Sequence, residues 1–498
     1  MKRTILNRLL AVSFIIAISI LMLFPAILFA KQPNAVIGYT TFYSPESGPY
    51  VETYLAVDGS SLDFALNANN KFQASIQVLV LFHKNDEIVN YDKYELFSPE
   101  LDDTLDLKFN FIDQQRYSLP NGEYNFEIQI WDKNTESKPF AILRPILIEF
   151  PEDKISMSGV QLVDSYESTQ ENSILNKSGY KIIPYPDYFY PEGMTKIIFY
   201  TELYNTDRVL GENEKYLINS YINDANSNAP IDKYVSYKKE TAAEVNVVFN
   251  EFDISELKSG NYFVTVEARD RENRLFAKSQ IFFQRSNPKI QLKLEDLLTI
   301  ATQNTFAGKI NDQDTLQEYI RSLAPISDEQ EKNFAAVHMT HADLETLQKY
   351  FYRFWKERDA LDPEHAWLNY LNEVNKVNQA YSTLIEKGYE TDRGRIYLQY
   401  GPPNAISESY NEPSAYPYEI WHYYVLDNGQ RNKRFVFYTK DLVTNDFMLL
   451  HSDVSGELSN YRWQYVLYDR VDPGFNIDES TVPSSWGGNS TRYFDMPR

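Results

Sequence analysis

The sequence predicts a multidomain chain in which two tandem all-β, immunoglobulin-like sandwiches precede an α+β C-terminal domain. The 498 residues are too many for one hydrophobic core and indicate about three domains. The 38 Tyr and 30 Phe, set against 18 Gly, favour β-rich modules because aromatic side chains fit pleated, half-buried surfaces. Near Leu292 the apolar pattern changes from strand-like alternation to helical spacing, which marks the start of the C-terminal part.

Composition also limits the function. The chain has 48 basic and 70 acidic residues, and the resulting net charge of −22 disfavours a nucleic-acid partner. It has no cysteine, so disulfides, thiolate metal sites and cysteine nucleophiles are excluded. We therefore expect no nucleic-acid partner, and we predict no cofactor or metal.

The N-terminus carries the clearest local signal. Lys2, Arg3 and Arg8 form a basic region, and residues 9–30 have no charge. This pattern is typical of a secretory signal peptide over residues 1–30, cleaved after Ala30. The same segment is long enough to span a bilayer, so an uncleaved N-terminal anchor, with residues 9–30 as the membrane contact, is the alternative. In both cases the remainder is exported, and lack of cysteine favours a bacterial periplasmic or outer-membrane-associated protein.

Residues 31–151 and 152–287 are predicted to be two β-sandwiches. Short runs rich in Val, Ile, Tyr and Phe, separated by turn residues, indicate strands in both. The second module repeats the first at a constant offset of 138 residues, with these matched pairs: Phe111/Phe249, Leu119/Leu257, Gly122/Gly260, Tyr124/Tyr262, Phe126/Val264, Ile128/Val266 and Asp132/Asp270. We expect the strands that contain Tyr124 and Tyr262 to hold equivalent positions.

Beyond Pro288 the sequence predicts a helical linker over 288–345, an α+β domain over 346–470 and a loose tail over 471–498. Ser327 is expected to cap a helix, and apolar residues at helical spacing indicate two more over 347–358 and 367–385. Strands are expected at 396–400, 419–424 and 435–439. Pro and Gly in the last residues indicate the tail.

Five blocks in this region, by their order and spacing, resemble the GWxTD-domain family over about residues 347–468. The blocks are Phe354-Trp355-Lys356-Glu357-Arg358-Asp359, the Asn-rich helix after Pro363, Gly388-Tyr389-Glu390-Thr391-Asp392-Arg393-Gly394-Arg395-Ile396-Tyr397, Tyr400-Gly401-Pro402-Pro403 and Pro417-Tyr418-Glu419-Ile420-Trp421. Three positions depart from the family: Tyr389 replaces the motif's Trp, Asn404 a usual Asp, and Glu373 an expected basic residue. The resemblance implies an exported envelope protein with β-sandwich modules ahead of the domain, and it implies no reaction.

The turn inside these blocks has a structural interpretation. Gly388 is expected just past the long helix, where a left-handed residue is favoured. Asp392 can accept backbone N–H bonds, and Gly394 can adopt a positive φ before a strand. Gly401-Pro402-Pro403 would end that strand, because proline cannot donate to a β-ladder.

The block residues are expected to form one constellation. Trp421 would reach Trp355 across the helix–sheet boundary, and Asp392 would meet Arg358. In the functional alternative, Asp392, Arg393 and Arg358 line a polar surface that recognises a partner. The candidate interaction or structural residues are Trp355, Arg358, Asp359, Gly388, Tyr389, Thr391, Asp392, Arg393, Gly394, Gly401, Pro402, Pro403 and Trp421.

Catalytic alternatives have weaker support in the sequence. Helical spacing could bring two imidazoles together at a metal, and paired carboxylates could serve glycoside hydrolysis. These candidates are His338 and His341 with Asp343 and Glu345, and Asp359, Asp362 and Glu364. Solvated helix starts explain both groups more simply, since acidic residues favour the N-terminal end of a helix. No catalytic residue is predicted.

Three function classes therefore stand in order. A non-catalytic protein-interaction or assembly factor of the envelope comes first. A glycan- or peptidoglycan-binding protein comes second, because exposed aromatic rings stack on sugars, and the densest aromatic cluster is Tyr185, Tyr188, Phe189 and Tyr190. A glycosidase or metal-dependent hydrolase comes third.

Overall fold

The computed structural model describes residues 33–495 except for 86, 136–138, 170–172, 174, 226–227, 461 and 469–487. The predicted signal peptide or anchor, and the parts of the predicted tail over 471–487 and 496–498, lie outside the described residues. Within the described ranges, no helix is both long and apolar enough to cross a membrane.

The described chain is all-β as far as Arg285, apart from short helical turns at Gly59–Ser61 and Thr206–Leu210 (α1), which confirms the predicted class. The strands up to residue 148 are β1 (Ala35–Ser44), β2 (Gly48–Asp58), β3 (Ala65–Leu66), β4 (Phe72–Gln73), β5 (Ser75–Lys84), β6 (Glu87–Phe97), β7 (Asn110–Ser118), β8 (Gly122–Asp132) and β9 (Phe140–Ile148). The following strands are β10 (Ser156–Met157), β11 (Gln161–Ser168), β12 (Asn176–Lys177), β13 (Tyr180–Pro184), β14 (Phe189–Tyr190), β15 (Lys196–Tyr204), β16 (Lys215–Asp224), β17 (Pro230–Thr241), β18 (Val245–Asp253), β19 (Gly260–Arg269) and β20 (Leu275–Arg285).

The described residues divide into two compact units, and the smaller one comprises residues 33–35 and the described parts of Val57–Phe111 and Asn125–Arg144. Its main element is a four-stranded sheet in the order β6-β5-β8-β9. Alternate residues of β5 and β8, such as Val80 and Ile128, are buried, as the period of two along a strand requires. Phe82 and Phe126 stack with ring centroids 5.3 Å apart in this core.

The larger unit contains the remaining residues, and its first sheet has the order β1-β2-β7. Two further sheets form a β-sandwich. One contains β10-β15-β11-β13-β12 with β18 beside β15, and the other has the order β14-β20-β19-β16-β17. Their facing side chains, among them Phe199, Ile218 and Val264, share one hydrophobic core.

The strand order of the two β modules is the same. The order β6-β5-β8-β9 corresponds to β17-β16-β19-β20, and β1-β2-β7 corresponds to β11-β15-β18, as in immunoglobulin-like sandwiches. Tyr124 donates its hydroxyl to Pro120 O at 2.9 Å, and Tyr262 donates to Lys258 O at 3.1 Å. Both are tyrosine corners, in which the hydroxyl binds the backbone just upstream of its strand. The strands of Tyr124 and Tyr262 therefore hold equivalent places in the sheet order.

The C-terminal region combines helices with one sheet, so it is α+β as predicted. The helices are α2 (Leu294–Leu298), α3 (Gln313–Ser322), α4 (Glu329–Phe334), α5 (Leu344–Arg358), α6 (Pro363–Tyr381), α7 (Asp392–Tyr400), α8 (Trp463–Tyr468) and α9 (Ser490–Asp495). Short 3₁₀ turns occur at Ala307–Lys309, Ala324–Ile326 and Gly388–Glu390, and a π-helical turn at Ala335–Met339. The antiparallel sheet β21-β22-β23-β24 comprises Ala405–Ser409, Tyr418–Val425, Arg431–Tyr438 and Met448–Ser452.

Aspartates begin four of these helices (α3, α4, α5 and α6), because their carboxylates accept the unpaired N–H groups of the first turn. Asp328 caps α4 by accepting from Glu331 N at 2.7 Å, and Glu331 accepts from Asp328 N in return. The predicted cap Ser327 is wrong by one residue, since its hydroxyl donates to Leu323 O instead. Leu297 and Leu316, in the segment predicted as a linker, share one core with Trp355.

Candidate functional site

The segment Gly388-Tyr389-Glu390-Thr391-Asp392 joins the helices to the sheet. It makes one 3₁₀ turn, and Thr391 then caps α7 by accepting from Gly394 N at 3.2 Å. The Thr391 hydroxyl also donates to Gly388 O at 2.8 Å. The strand predicted over 396–400 is wrong: these residues belong to α7, because the cap starts a helix immediately before them.

Gly388 and Gly394 are needed for close packing of backbones. A Cβ atom on Gly388 would lie 2.1 Å from Val377 O in α6, and one on Gly394 would lie 1.8 Å from Gly388 O. Neither glycine has a positive φ, so the predicted left-handed roles are wrong. The long helix ends at Tyr381, well before Gly388, and Gly401 with φ +79° follows α7. The turn is therefore clamped between α6 and α7.

Arg393 forms the buried polar centre of this joint. Its Nη1 atom donates to Glu419 Oε1 on β22 at 2.8 Å, and both residues are buried. Its Nη2 atom donates to the Asn445 backbone and side-chain oxygens at 2.9 and 2.7 Å. The guanidinium lies 4.0 Å from the ring centroid of Phe447. Arg393 therefore fastens α7 to the sheet and to the loop before β24.

Glu419 is bound from three sides. Besides Arg393, its carboxylate accepts from the Tyr410 hydroxyl at 2.7 Å and from Trp421 Nε1 at 2.9 Å. Burial, with a further contribution from Glu419, raises the pKa of Tyr381 to about 12. The ring of Tyr381 lies 5.6 Å from that of Trp421. A charged network with this many partners is fixed in geometry and is suited to hold a fold together.

The expected single constellation separates into two groups. Trp421 packs on Tyr381 and on Phe437 rather than on Trp355, whose neighbours are Trp367 and Tyr370. The two tryptophans belong to different hydrophobic cores. The predicted contact between them is therefore wrong, because α7 and Tyr381 at the end of α6, rather than α5, pack on the sheet.

The predicted contact between Asp392 and Arg358 is also wrong. Asp392 Oδ2 accepts from Leu449 N at 2.7 Å, so it does bind backbone, but on β24. Arg358 makes a bidentate pair with Glu331, with N–O distances of 2.9 and 2.7 Å. The guanidinium of Arg358 also lies 3.4 Å from the Phe354 ring centroid. Both residues support the fold, in different parts of it.

The remaining candidates lie at chain turns. Asp359 accepts from Leu361 N and Asp362 N after α5, and Asp362 caps α6. Gly401 O accepts from the Tyr423 hydroxyl at 2.8 Å, and Pro402 and Pro403 lead from there to β21. Two of the three carboxylates considered for glycoside chemistry, Asp359 and Asp362, thus bind backbone N–H groups at helix ends.

An open cleft of about 470 Å³ lies beside the motif. Its apolar walls come from α3, the turn after it and the π-helical turn, through Ile320, Ala324, Pro325, Ala335, Ala336 and Met339. Arg321, Lys332 and Glu390 bring charges to the cleft lining. π-Helical turns are rare and occur frequently at functional sites. We define this volume as the motif cleft.

Tyr389, the aromatic residue of the motif, is part of the wall of the motif cleft. It is buried against Val374 and Val377, and its hydroxyl donates to Glu318 Oε1 at 3.1 Å. Burial and then the Glu318 carboxylate raise the pKa of Tyr389 above its usual value. Arg395 adds a fixed charge at the same wall, since Glu457 holds its guanidinium in a bidentate pair. Tyr389, Glu390 and Arg395 therefore form one wall of the motif cleft.

The structure also gives the positions of the predicted histidine and aromatic clusters. His338 lies in the π-helical turn with its ring 4.7 Å from Phe334, and no group of three or more metal-binding side chains occurs in the part of the chain that the structure describes. In the aromatic cluster, Tyr190 is fully buried in the second sandwich, and the Tyr185 hydroxyl donates to Phe189 O at 2.6 Å. Tyr185 and Tyr188 pack against the same core, whereas Phe189 is 43% exposed.

Sequence reasoning missed Glu419, Asn445 and Glu318, and it missed the motif cleft. Glu419 had a local signal, because a carboxylate between Tyr418 and Ile420 in an apolar strand demands a buried partner. Asn445 and Glu318 are far from the motif in sequence and had no such signal.

The strand and helix order described above defines the class, and comparison with known proteins adds the family of the C-terminal region. The class is a tandem of immunoglobulin-like β modules followed by an α+β domain. Residues 294–463 match the family model of the GWxTD domain, so the C-terminal region is a GWxTD domain that begins earlier than the resemblance over 347–468 indicated. No curated protein sequence matches the chain significantly.

Several solved structures are similar to the chain at low sequence identity. The fibronectin(III)-like modules of Clostridium thermocellum CbhA are 9% identical over 49% of this chain and 89% of theirs, with a TM-score of 0.15. A calcium-binding mutant of Bacteroides uniformis beta-glucuronidase 2 is 8% identical over 50% of this chain and 32% of its own, with a TM-score of 0.17. A glycosyl hydrolase family 2 member from Bacteroides cellulosilyticus is 11% identical over 56% of this chain and 36% of its own, with a TM-score of 0.18. The chain spans about a third of both enzymes, and scores this low carry no argument.

Proposed function

We propose that this protein is exported to the bacterial cell envelope and acts there as a non-catalytic protein-interaction or assembly factor, with the motif cleft as a binding site for a partner protein. The observation that carries the proposal is the chemistry of the cleft, which combines an aliphatic floor with charges in its lining. A concave apolar site with a few polar groups is the usual form of a binding site. The aliphatic side chains of a partner helix or loop suit such a floor.

The polar groups of the motif are hydrogen-bonded to other parts of the fold, and this supports a binding role over a catalytic one. Arg393 is held by Glu419 and Asn445, and Asp392 is held by the backbone of β24. A general acid or base must reach a substrate proton, whereas these groups face their partners inside the fold. The motif is therefore interpreted as the support of the cleft.

The runner-up functions receive less support. A glycan platform needs exposed aromatic faces, but Tyr190 of the predicted cluster is buried. A glycosidase needs two free carboxylates facing a cleft, and Asp359 and Asp362 bind helix-terminal N–H groups.

The binding role is tested by filling the cleft. Ala336→Trp places a large ring in the motif cleft, and Val337→Trp is the matched control, because Val337 neighbours it on the same turn and is 69% exposed. Tagged strains carrying each variant are compared with the parent by quantitative co-purification of envelope proteins. We expect Ala336→Trp to lose a defined co-purifying protein that Val337→Trp retains, with equal melting temperatures. Retention of that protein by both variants would contradict the proposal.

Export is tested separately by mass spectrometry of the native protein. The basic Lys2, Arg3 and Arg8 before the uncharged residues 9–30 support a signal peptide. We expect the mature N-terminus at or near Lys31. Recovery of an intact Met1 peptide from membranes would establish the anchored form, and recovery from the cytosol would contradict export.

A further inference from the structure

Two surface turns of the GWxTD domain end in pairs of exposed aliphatic side chains. The turn after α6 displays Leu384, 90% exposed, and Ile385, 95% exposed. The turn between β23 and β24 displays Leu442, 45% exposed, and Val443, 86% exposed. The middle positions of surface turns usually carry Gly, Asn, Asp, Ser or Pro, so aliphatic pairs at both places are unusual. We define these segments as the α6 turn, residues 383–386, and the β23 turn, residues 441–444.

Each turn is closed by a polar residue of its own. Thr383 Oγ1 accepts from Ile385 N at 3.2 Å and from Glu386 N at 2.9 Å. Asp441 Oδ1 accepts from Val443 N at 2.9 Å. These three N–H groups at the tips are therefore paired within the turns themselves. Internal pairing is what an apolar surrounding demands, because a backbone N–H without a partner is costly outside water.

The two turns are neighbours in space, and the family motif holds them together. Asn445 directly follows the β23 turn, and its Nδ2 atom donates at 3.2 Å to the carbonyl oxygen of Ser382, which directly precedes the α6 turn. The buried Arg393 donates to the backbone and side-chain oxygens of the same Asn445. The motif therefore fixes the residue that joins the two turns, so both aliphatic pairs belong to one part of the domain surface.

The residues behind the aliphatic pairs are charged and then aromatic. From the tip of the β23 turn toward the sheet, Val443 and Leu442 are succeeded by the exposed Lys440 and then by the half-buried Tyr438. The exposed Lys387 likewise lies just behind the aliphatic pair of the α6 turn. This order is that of a bilayer interface, where aliphatic groups reach the acyl chains, lysines extend to the headgroups and tyrosines lie at the boundary.

We propose that the α6 turn and the β23 turn dock the GWxTD domain on a lipid bilayer, with their aliphatic pairs inserted below the headgroups. The central side chains of a protein interface are usually aromatic and lie in a broad patch with matching pockets. Leu384, Ile385 and Val443 instead project from narrow turns with nearly their whole surface in solvent. A fluid acyl layer closes around such projections without a matching pocket.

The charges beside the turns indicate which lipid surface fits. Glu386, Asp441 and Asp446 lie close in sequence to Lys387 and Lys440, so the turns offer no basic patch to an anionic headgroup. The net charge of −22 on the whole chain also opposes an anionic surface. The expected partner is therefore a zwitterionic lipid surface, bound by apolar insertion. The lining of the motif cleft comes from other residues, so this proposal is independent of the partner site.

The first test is co-sedimentation of the expected exported form, which begins at Lys31, with vesicles of phosphatidylethanolamine and phosphatidylcholine. We expect Ile385→Asp and Val443→Asp each to lower the partition coefficient about tenfold or more, because each removes an aliphatic side chain from lipid and adds a charge. Leu361→Asp is the matched control. Leu361 is 98% exposed but precedes α6, whereas Ile385 follows the end of this 19-residue helix, about 28 Å away.

The outcomes of this test are distinct. All three variants should melt at the temperature of the parent, because the replaced side chains are exposed. A parent chain that stays in the supernatant overturns the proposal, and so does binding that neither turn variant weakens. Equal weakening by Leu361→Asp overturns it as well. Binding that disappears at high salt would reveal electrostatic adsorption in place of insertion, and that result also overturns the proposal.

The second test measures which side chains enter the bilayer. The chain has no cysteine, so Ile385→Cys, Val443→Cys and Leu361→Cys each provide a single site for an environment-sensitive fluorophore. The same vesicles should shift the emission of the two turn labels to shorter wavelength, with quenching by spin-labelled acyl chains, and leave the Leu361→Cys label unchanged. A shift at only one turn overturns joint insertion. A shift caused by lipid-free envelope proteins, with none caused by vesicles, would assign the turns to a protein partner and overturn the proposal.

Discussion

Lys177 in the β region and Arg393 in the GWxTD domain are both buried cations, and they are held in different ways. The Lys177 ammonium donates to Glu52 and Gln161 and lies 3.5 Å from the Phe42 ring centroid. Arg393 spreads its donors over Glu419 and two oxygens of Asn445. An ammonium is a compact charge that depends on one strong counter-ion, whereas a guanidinium is planar and divides its bonds.

The comparison shows how each region fixes its elements. Burial lowers the pKa of Lys177, although the Glu52 carboxylate opposes that shift. Glu52 lies on β2 and Lys177 on β12, so this pair joins two different sheets. Arg393 instead joins one helix, one strand and one loop. The β region therefore gathers its contacts on one carboxylate, because Glu52 also accepts from Arg116 and Tyr54, whereas Arg393 distributes its donors over Glu419 and Asn445.

The largest expected effect comes from replacing the carboxylates that bind the two buried cations. Glu52→Gln removes the carboxylate that pairs with both the buried Lys177 and Arg116 and should cost about 3–5 kcal/mol. Glu419→Gln should cost less, about 1–3 kcal/mol, because Arg393 keeps Asn445 and the Phe447 ring. Denaturant unfolding followed by hydrogen exchange of peptides from each region measures both. Equal losses would show that the two cations are held alike.

The next effect concerns packing in the GWxTD domain. Gly394→Ala forces a methyl group against Gly388 O and should destabilise the domain by about 1–3 kcal/mol or more, as overpacking does. Gly193→Ala in the β region is the control, since open space surrounds it. Thermal melting of the two variants beside the parent makes the measurement. An unchanged melting temperature for Gly394→Ala would contradict the clamped turn.

A smaller effect tests whether the tyrosine corners of the two β modules contribute equally to stability. Tyr124→Phe and Tyr262→Phe each remove one hydrogen bond of a tyrosine corner and should each cost about 1 kcal/mol. Hydrogen exchange in β8 and β19 reports the local loss for each module. A cost confined to one of the two modules would mean that their corners are not equivalent in energy.

The smallest effect depends on pH. His422 on β22 is buried with Nε2 2.7 Å from Asn432 Oδ1, and burial lowers the pKa of His422 below its usual value near 6.5. Because the unfolded chain then binds the proton more readily, stability is complete above about pH 6.5 and decreases as the pH falls through the folded value. The GWxTD domain should therefore melt lower at pH 5.5 than at pH 7.5. His422→Gln should reduce that difference, and an unchanged difference would assign it to other groups.

Much of the architecture was predictable because its signals are local. Alternation along the strands and the repeated Gly-x-Tyr turns predicted two β modules, and their sheet orders agree. The failure at 396–400 is also local. Ile396 and Tyr397 favour a strand by propensity, but the Thr391 cap and the close contact at Gly394 impose a helix there.

The candidate site was less predictable because its contacts are distant in sequence. Arg393 and Glu419 pair only after α7 packs on the sheet, and no spacing rule links them. The motif cleft depends on α3 and the π-helical turn, in a segment whose apolar spacing indicated only a linker. Sequence patterns therefore located the motif and its likeness to a family, whereas the polar partners and the cleft required coordinates.

The steric demand at Gly388 and Gly394 bears on how related domains are searched for. The aromatic residue that gives the family its name is Tyr389 here, and Glu318 accommodates its hydroxyl. The two glycines have no room for any side chain, so they constrain the sequence more tightly than the aromatic ring does. A search pattern anchored on these glycines, six positions apart with Thr391 between them, would retrieve divergent members that a pattern requiring tryptophan passes over.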